Sequence, residues 1–185
     1  MPHLDWLPED GTLRHIFHRW PDLAAPLTDY TETLMRGPSA FTAAERELIA
    51  TVTSATNACH FCYGSHRATA EAMGVDGALI ESVMADLDKA DIRREMKPVL
   101  AFVKTLTRTP DRITRDDVDA VFAAGWDADA FHHAVAICAL FNHYNRIVDA
   151  YGIKMDDAYY ADSGRQMAEE GYSGPVGRYM AGKFE

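Results

Sequence analysis

The chain is poor in most of the features that mark a specialised protein class. Only three cysteines occur in 185 residues, too few for the disulfide framework of a small secreted fold. No apolar run approaches the ~18–20 residues of a membrane-spanning helix. The opening "MPHLDWLPEDGTLRHIF" lacks the basic and then apolar regions of a secretory signal. Positive charge is scarce too. With 18 Lys and Arg against 28 Asp and Glu, the formal net charge is −10. That balance argues against a nucleic-acid partner, whose phosphates demand clustered cations. The expectation is a cytoplasmic protein with no membrane partner, its acidity serving as solvated surface. No segment alternates polar and apolar residues for long enough to form a strand, and there is no low-complexity stretch, linker or repeat.

What remains is helical patterning over a length suited to one domain. "LTDYTETLM" predicts an early helix ending near Gly37. "TAAERELIATVTSAT" opens with Thr42 and Glu45 at the spacing of a capping box, and its apolar positions Leu48, Ile49, Val52 and Ala55 recur at helical period. A further helix should carry the next segment to Met73 and stop at Gly74. Asp76 is the expected N-cap of "GALIESVMA", and Pro98 suggests that the following helix becomes regular only about there. Thr114 and Asp117 repeat the capping-box spacing. "DADAFHHAVAICALFNHYNRIVDAYG" reads as the longest helix, apolar enough to be buried inside the domain or against a subunit. The class is therefore all-α, a single domain over 1–185. Its core spans 42–153, preceded by N-terminal helices and followed by a C-terminal arm over 154–185 whose tyrosines are expected to serve subunit packing.

Two of the three cysteines, Cys59 and Cys62, form a Cys-x-x-Cys pair in "NACHFCYGSH". On a helix at 100° per residue, taking Cys59 as zero, Cys62 falls at about 300° and His66 at about 340°. Both thiols and the imidazole thus share one face, while His60 lies off it. This pattern suits thiol chemistry, because the thiolate is the nucleophile and a free thiol with pKa ~8.5 is mostly protonated at neutral pH. A helix start, a partner thiol and a base such as His66 each favour the thiolate, with Asn57 as a candidate N-cap. Glu47 lies on the preceding helix, where a short-looped pair could return its carboxylate to His66 or a water. Two other readings stay open at this point. The thiols could be core residues, or Cys59, Cys62 and His66 could ligate zinc with His60 or Glu47. Cys138 is expected to be an inert core thiol, His132, His133 and His143 core or interface histidines, and Arg146 a buried or interface ion-pair former.

The spacing Glu47, eleven residues, Cys59-x-x-Cys62, three residues, His66 resembles the signature of the AhpD-like alkylhydroperoxidases, within the carboxymuconolactone decarboxylase superfamily. "ALFNHYNRIVDAYGI" is also similar to its peroxidase-related branch, so the resemblance spans roughly 42–153. It implies an AhpD-like helical bundle assembled as a homo-oligomer, a trimer or hexamer, that reduces hydroperoxides without metal or organic cofactor. Cys62 would be the peroxidatic thiol, Cys59 the resolving thiol exposed to the reductant, and His66 with Glu47 the proton relay. The electron donor would be a thiol reductant, for which a dihydrolipoyl domain is one candidate. The chain departs from the pattern at Phe61, where the best-described members carry a second histidine. Two alternatives follow: a redox-sensing or scaffold oligomer, and a decarboxylase of the carboxymuconolactone type.

Overall fold

A computed structural model describes residues 2–174. Among the described residues there are nine α-helices and no strand. Helices α1 (Leu13–Arg19) and α2 (Pro21–Arg36) lead into the central hairpin of α3 (Ala43–Thr56) and α4 (His60–Ala72). Then follow α5 (Gly77–Ala85), α6 (Met96–Arg108), a 3-10 turn at Pro110–Arg112, α7 (Arg115–Ala123), the long α8 (Ala128–Tyr151) and α9 (Asp157–Glu170).

Local chemistry sets most of these boundaries. The Thr42 hydroxyl accepts from the Glu45 N–H at 3.2 Å, and the Thr42 N–H donates to Glu45 Oε2 at 2.9 Å, closing the expected capping box. Thr114 and Asp117 do the same for α7, and Asp76 caps α5. Helix α6 departs from expectation by starting at Met96. Pro98 then lies in its first turn, where a missing N–H removes no intrahelical bond.

Helix α3 is the centre of the molecule. Its run from Arg46 to Ser54 is buried without a break, with Ile49, Ala50 and Val52 fully inaccessible. It packs against α4, α6, α8 and α2, while α9 lies along the other side of α4. Two glycines bring α4 and α9 together. A Cβ on Gly164 would stand 2.7 Å from the Ala68 backbone, and one on Gly64 at 2.7 Å from the Tyr160 ring. At the α2 end, Arg46 donates to the carbonyls of Leu34 and Gly37, satisfying groups that the helix itself leaves open.

Of the segments expected inside the domain or against a subunit, the single chain buries only part. Helix α8 is buried along one side, by Ile137, Phe141, Tyr144 and Val148, but presents His132, Ala139 and His143 outward. Arg146 is exposed on that outward side and bonds back to Asn142, making no ion pair among the described residues. The arm over 154–185 begins as α9 and Tyr172, both packed into their own chain; its remainder, 175–185, lies outside the described residues. Cys138 is buried in the core, its thiol against the Thr107 hydroxyl, as expected.

Candidate active site

The turn between α3 and α4 places the dithiol. Cys59 N–H bonds to the Ser54 carbonyl and Ala58 N–H to the Ala55 carbonyl, the paired closure of a Schellman motif. Helices α4 and α8 end in the same way, with Gly74 and Gly152 at the left-handed position. In the α3 turn that position is held by Ala58 at φ 56°, where a side chain costs about 1 kcal/mol. Asn57 is consequently the C-cap of α3 and not an N-cap; its amide donates to Asn142 and Asn145 on α8. The N-cap of α4 is Cys59 itself, with extended backbone. The ideal-helix placement therefore holds for Cys62 and His66 but not for Cys59, although the two thiols still lie in contact.

Neither thiol is open to solvent, Cys59 at 0% and Cys62 at 4% exposure. This corrects the implied exposure of Cys59, whose N-cap position seats it between the hairpin turn and the Asn145 carbonyl of α8. The neighbouring Cys62 thiol, and then burial, push the Cys59 thiol well above the ordinary cysteine value. Cys59 therefore stays protonated at neutral pH.

His66 sits one turn below Cys62. Its Nδ1 lies 2.8 Å from Glu47 Oε2, so the expected approach of Glu47 to His66 is present. With Nδ1–H donated to the carboxylate, Nε2 is left as the proton-accepting nitrogen. The imidazole is fixed further by the Phe141 ring, edge-on with centroids 4.1 Å apart.

Glu47 is fully buried and holds more partners than His66 alone. Arg36 Nη2 donates to its Oε1 at 2.7 Å. The Tyr172 hydroxyl donates to Oε1 at 2.9 Å and Oε2 at 3.1 Å, and lies 3.3 Å from His66 Nδ1. Burial alone would raise the Glu47 carboxyl. The His66 hydrogen bond and charge, with the Arg36 guanidinium, outweigh it and hold the group below its ordinary value. Tyr172 is pushed well above the tyrosine value, by burial first and then by the Glu47 charge, and so remains a donor. Arg36 also lies over the Tyr172 ring at 4.9 Å, and Glu32 Oε2 accepts from the backbone N–H groups of Tyr172 and Ser173.

Sequence reasoning missed Tyr172 and Arg36. Each belongs to the site only through contacts across the chain, 125 residues for Tyr172 and 11 for Arg36, with no local period to reveal them. Phe61, at the departure from the family pattern, packs near Tyr159 and Tyr160.

The dithiol lies between two hollows. A mostly apolar cavity of about 100 Å³ is lined by Cys62, His66, Tyr172, Phe61, Phe17 and Phe141. A more open groove of about 590 Å³ lies over Cys59, lined among others by His60, Tyr63, Lys104 and Arg108. No cluster of three or more His, Cys, Asp or Glu side chains among the described residues is arranged to hold a metal ion. No helix among them is long and apolar enough to cross a membrane.

The all-helical bundle that holds this dithiol and the Glu47–His66 pair is similar to known proteins. The carboxymuconolactone decarboxylase family matches residues 21–88. An uncharacterized peroxidase-related protein from Silicibacter sp. TM1040 superposes with TM-score 0.74 at 24% identity, covering 83% of this chain and 80% of its own. An alkylhydroperoxidase AhpD core protein, also an uncharacterized peroxidase-related protein, from Ralstonia eutropha JMP134 superposes with TM-score 0.72 at 25% identity, covering 81% and 78%. No curated protein sequence matches significantly. Residues 21–88 thus resemble the carboxymuconolactone decarboxylase family, and the fold is that of these AhpD-like, peroxidase-related structures.

Proposed function

We propose that the protein is a thiol-dependent peroxidase that reduces hydroperoxides through a Cys59–Cys62 disulfide cycle. The observation that carries this reading is the contact of two thiols beside an imidazole whose Nδ1 is held by a buried carboxylate. His66 Nε2 takes the Cys62 proton, and the thiolate attacks the outer peroxide oxygen. The O–O bond breaks, Cys62 becomes a sulfenic acid, and the alkoxide leaves as alcohol with the proton returned by His66. Cys59 then attacks the Cys62 sulfur, releasing water and forming the disulfide. Two equivalents of an external thiol reduce the disulfide and leave as their own disulfide. Glu47 fixes the His66 tautomer and stabilises the imidazolium; Arg36 and Tyr172 fix Glu47.

The groove over Cys59 is the approach for the reductant in this reading, a small thiol or a dihydrolipoyl group. A homo-oligomer is also expected. Trp20, Leu23 and Tyr30 are exposed at helical spacing on and beside α2, Leu23 at 73%, an apolar stripe suited to a subunit contact. The test is thiol titration before and after one equivalent of hydroperoxide, with peptide mapping. Two thiols should be lost, joined as Cys59–Cys62, and Cys62→Ser should consume no peroxide. Wild-type peroxide consumption by Cys62→Ser would sink the proposal.

A further inference from the structure

The wall of the cavity beside Cys62 includes a buried hydroxyl, that of Thr28, with no partner among the described residues. The buried threonines Thr31, Thr51, Thr53 and Thr69 each donate to the carbonyl four residues back, and Thr12 and Thr107 meet the His15 ring and the Cys138 thiol. Thr28, on α2, is buried to 6% exposure, lines the cavity, and its Oγ1 has no partner among the described residues. A buried hydroxyl left unpaired is costly, and such a group in a native fold needs an explanation. The hydroxyls nearest in the chain are already engaged, Thr31 Oγ1 with the Leu27 carbonyl at 2.7 Å and with the Tyr144 hydroxyl at 2.8 Å.

We propose that Thr28 is the specificity-determining group of this cavity, and that its free hydroxyl bonds the oxygen of a compact apolar organic hydroperoxide and of the alcohol it yields. The hydroperoxide part rests on the peroxidase reading above; the binding of an oxygenated apolar ligand does not. The rest of the wall fits such a body, with Leu13, Phe17, Phe61, Phe141 and Met167 around it. At about 100 Å³ the space is near that of benzene-holding cavities of ~150 Å³ and well below the ~300–1,000 Å³ of drug-sized sites. The ligand is therefore on the order of six heavy atoms or fewer. Hydrogen peroxide could meet the hydroxyl but leaves the apolar wall unfilled.

The experiment uses 2-methyl-2-propanol, which fits the space and cannot oxidise a thiol, with the reduced full-length protein. Binding is followed by ligand-observed NMR, and its place by the slowing of Cys62 alkylation. Wild type should bind saturably and be protected. Thr28→Val should bind about 5–30-fold more weakly, and Thr28→Ser within about threefold of wild type. Thr28→Val should also melt about 2–4 °C higher, since it removes an unpaired buried hydroxyl. A merely structural Thr28 would not join weaker binding to a higher melting temperature. Equal binding by wild type and Thr28→Val, or no saturable binding by wild type, overturns the proposal. Binding that behaves as expected in a protein whose Cys62 never reacts with peroxide would keep Thr28 and remove the peroxidase reading instead.

Discussion

The two sides of the dithiol are built by opposite means. On the Cys62 side the walls are mostly aromatic and aliphatic and the space is small, with His66 and Tyr172 held on Glu47, Thr31 on Tyr144, and the Thr28 hydroxyl unpaired among the described residues. On the Cys59 side the groove is wider, opens to solvent, and carries Lys104, Arg108 and His60 on a chain whose net charge is −10. An enclosed apolar site with fixed dipoles suits a proton-coupled attack on a small neutral molecule. An open cationic groove suits a larger, charged partner that exchanges a thiol and leaves. On the peroxidase reading, one disulfide meets two chemistries without the two reactants sharing a path.

The strongest way to break this comparison is Glu47→Gln. It removes the anion that fixes His66, so attack of Cys62 on peroxide should slow by roughly 10²-fold or more. It also leaves Arg36 buried without its carboxylate, which should cost about 3–5 kcal/mol, read by urea unfolding. Reduction of a disulfide preformed with diamide should change little. Equal losses in both half-reactions would mean that the two sides are not separate. Acid unfolding gives a second reading. The Glu47 carboxyl is depressed in the folded state, so its contribution is present above the unfolded value of ~4.3 and is lost as pH falls through the lower folded value. Wild type should lose that stability below about pH 4, and Glu47→Gln should lack that part of the acid transition.

Tyr172→Phe is the subtler cut on the same side. The ring stays and Arg36 can still stack on it, but the carboxylate loses a donor to each oxygen. The expected cost is about 1–3 kcal/mol of stability. The peroxide reaction should slow roughly tenfold, with disulfide reduction again unaffected. If Tyr172→Phe matches wild type in both rate and stability, the hydroxyl is no part of the relay, and Arg36 and Glu47 position His66 unaided.

This asymmetry also shows what the sequence made legible. Cys62 and His66 fall on one helix, where spacing translates directly into position, whereas the return of Glu47 across the hairpin is suggested by the family signature and not by period. The turn inside the hairpin could not be anticipated, because Ala58 occupies a left-handed position that usually advertises itself by glycine. Asn57 consequently looked like a helix start. Tyr172 was hidden for another reason. It reaches Glu47 only because Gly64 and Gly164 let α9 lie close on α4 and because Glu32 fixes the backbone after Gly171. None of those contacts has a local signature. The all-α class was clear throughout, whereas the outward side of α8, which shows His132 and His143, was concealed by the helix's apolar composition.

The smallest expected effect sharpens the comparison from the groove side. If Lys104 and Arg108 guide the reductant, the diamide-oxidised protein should be reduced faster by thioglycolate than by neutral 2-mercaptoethanol, after correction for thiolate fraction, and slowest by cysteamine. The preference should be about 3–10-fold at low ionic strength and shrink as salt screens it. Lys104→Gln and Arg108→Gln should each erase part of it while leaving peroxide attack at Cys62 unchanged. The pH dependence has a definite sign. Burial, and then the Arg108 charge, hold the Lys104 ammonium below the ordinary lysine value. Its share of the preference should therefore fade at lower pH than a free lysine would allow, while the Arg108 share persists. A charge-blind reduction rate would leave the groove as a mere opening and return the choice of donor to contacts beyond Lys104 and Arg108.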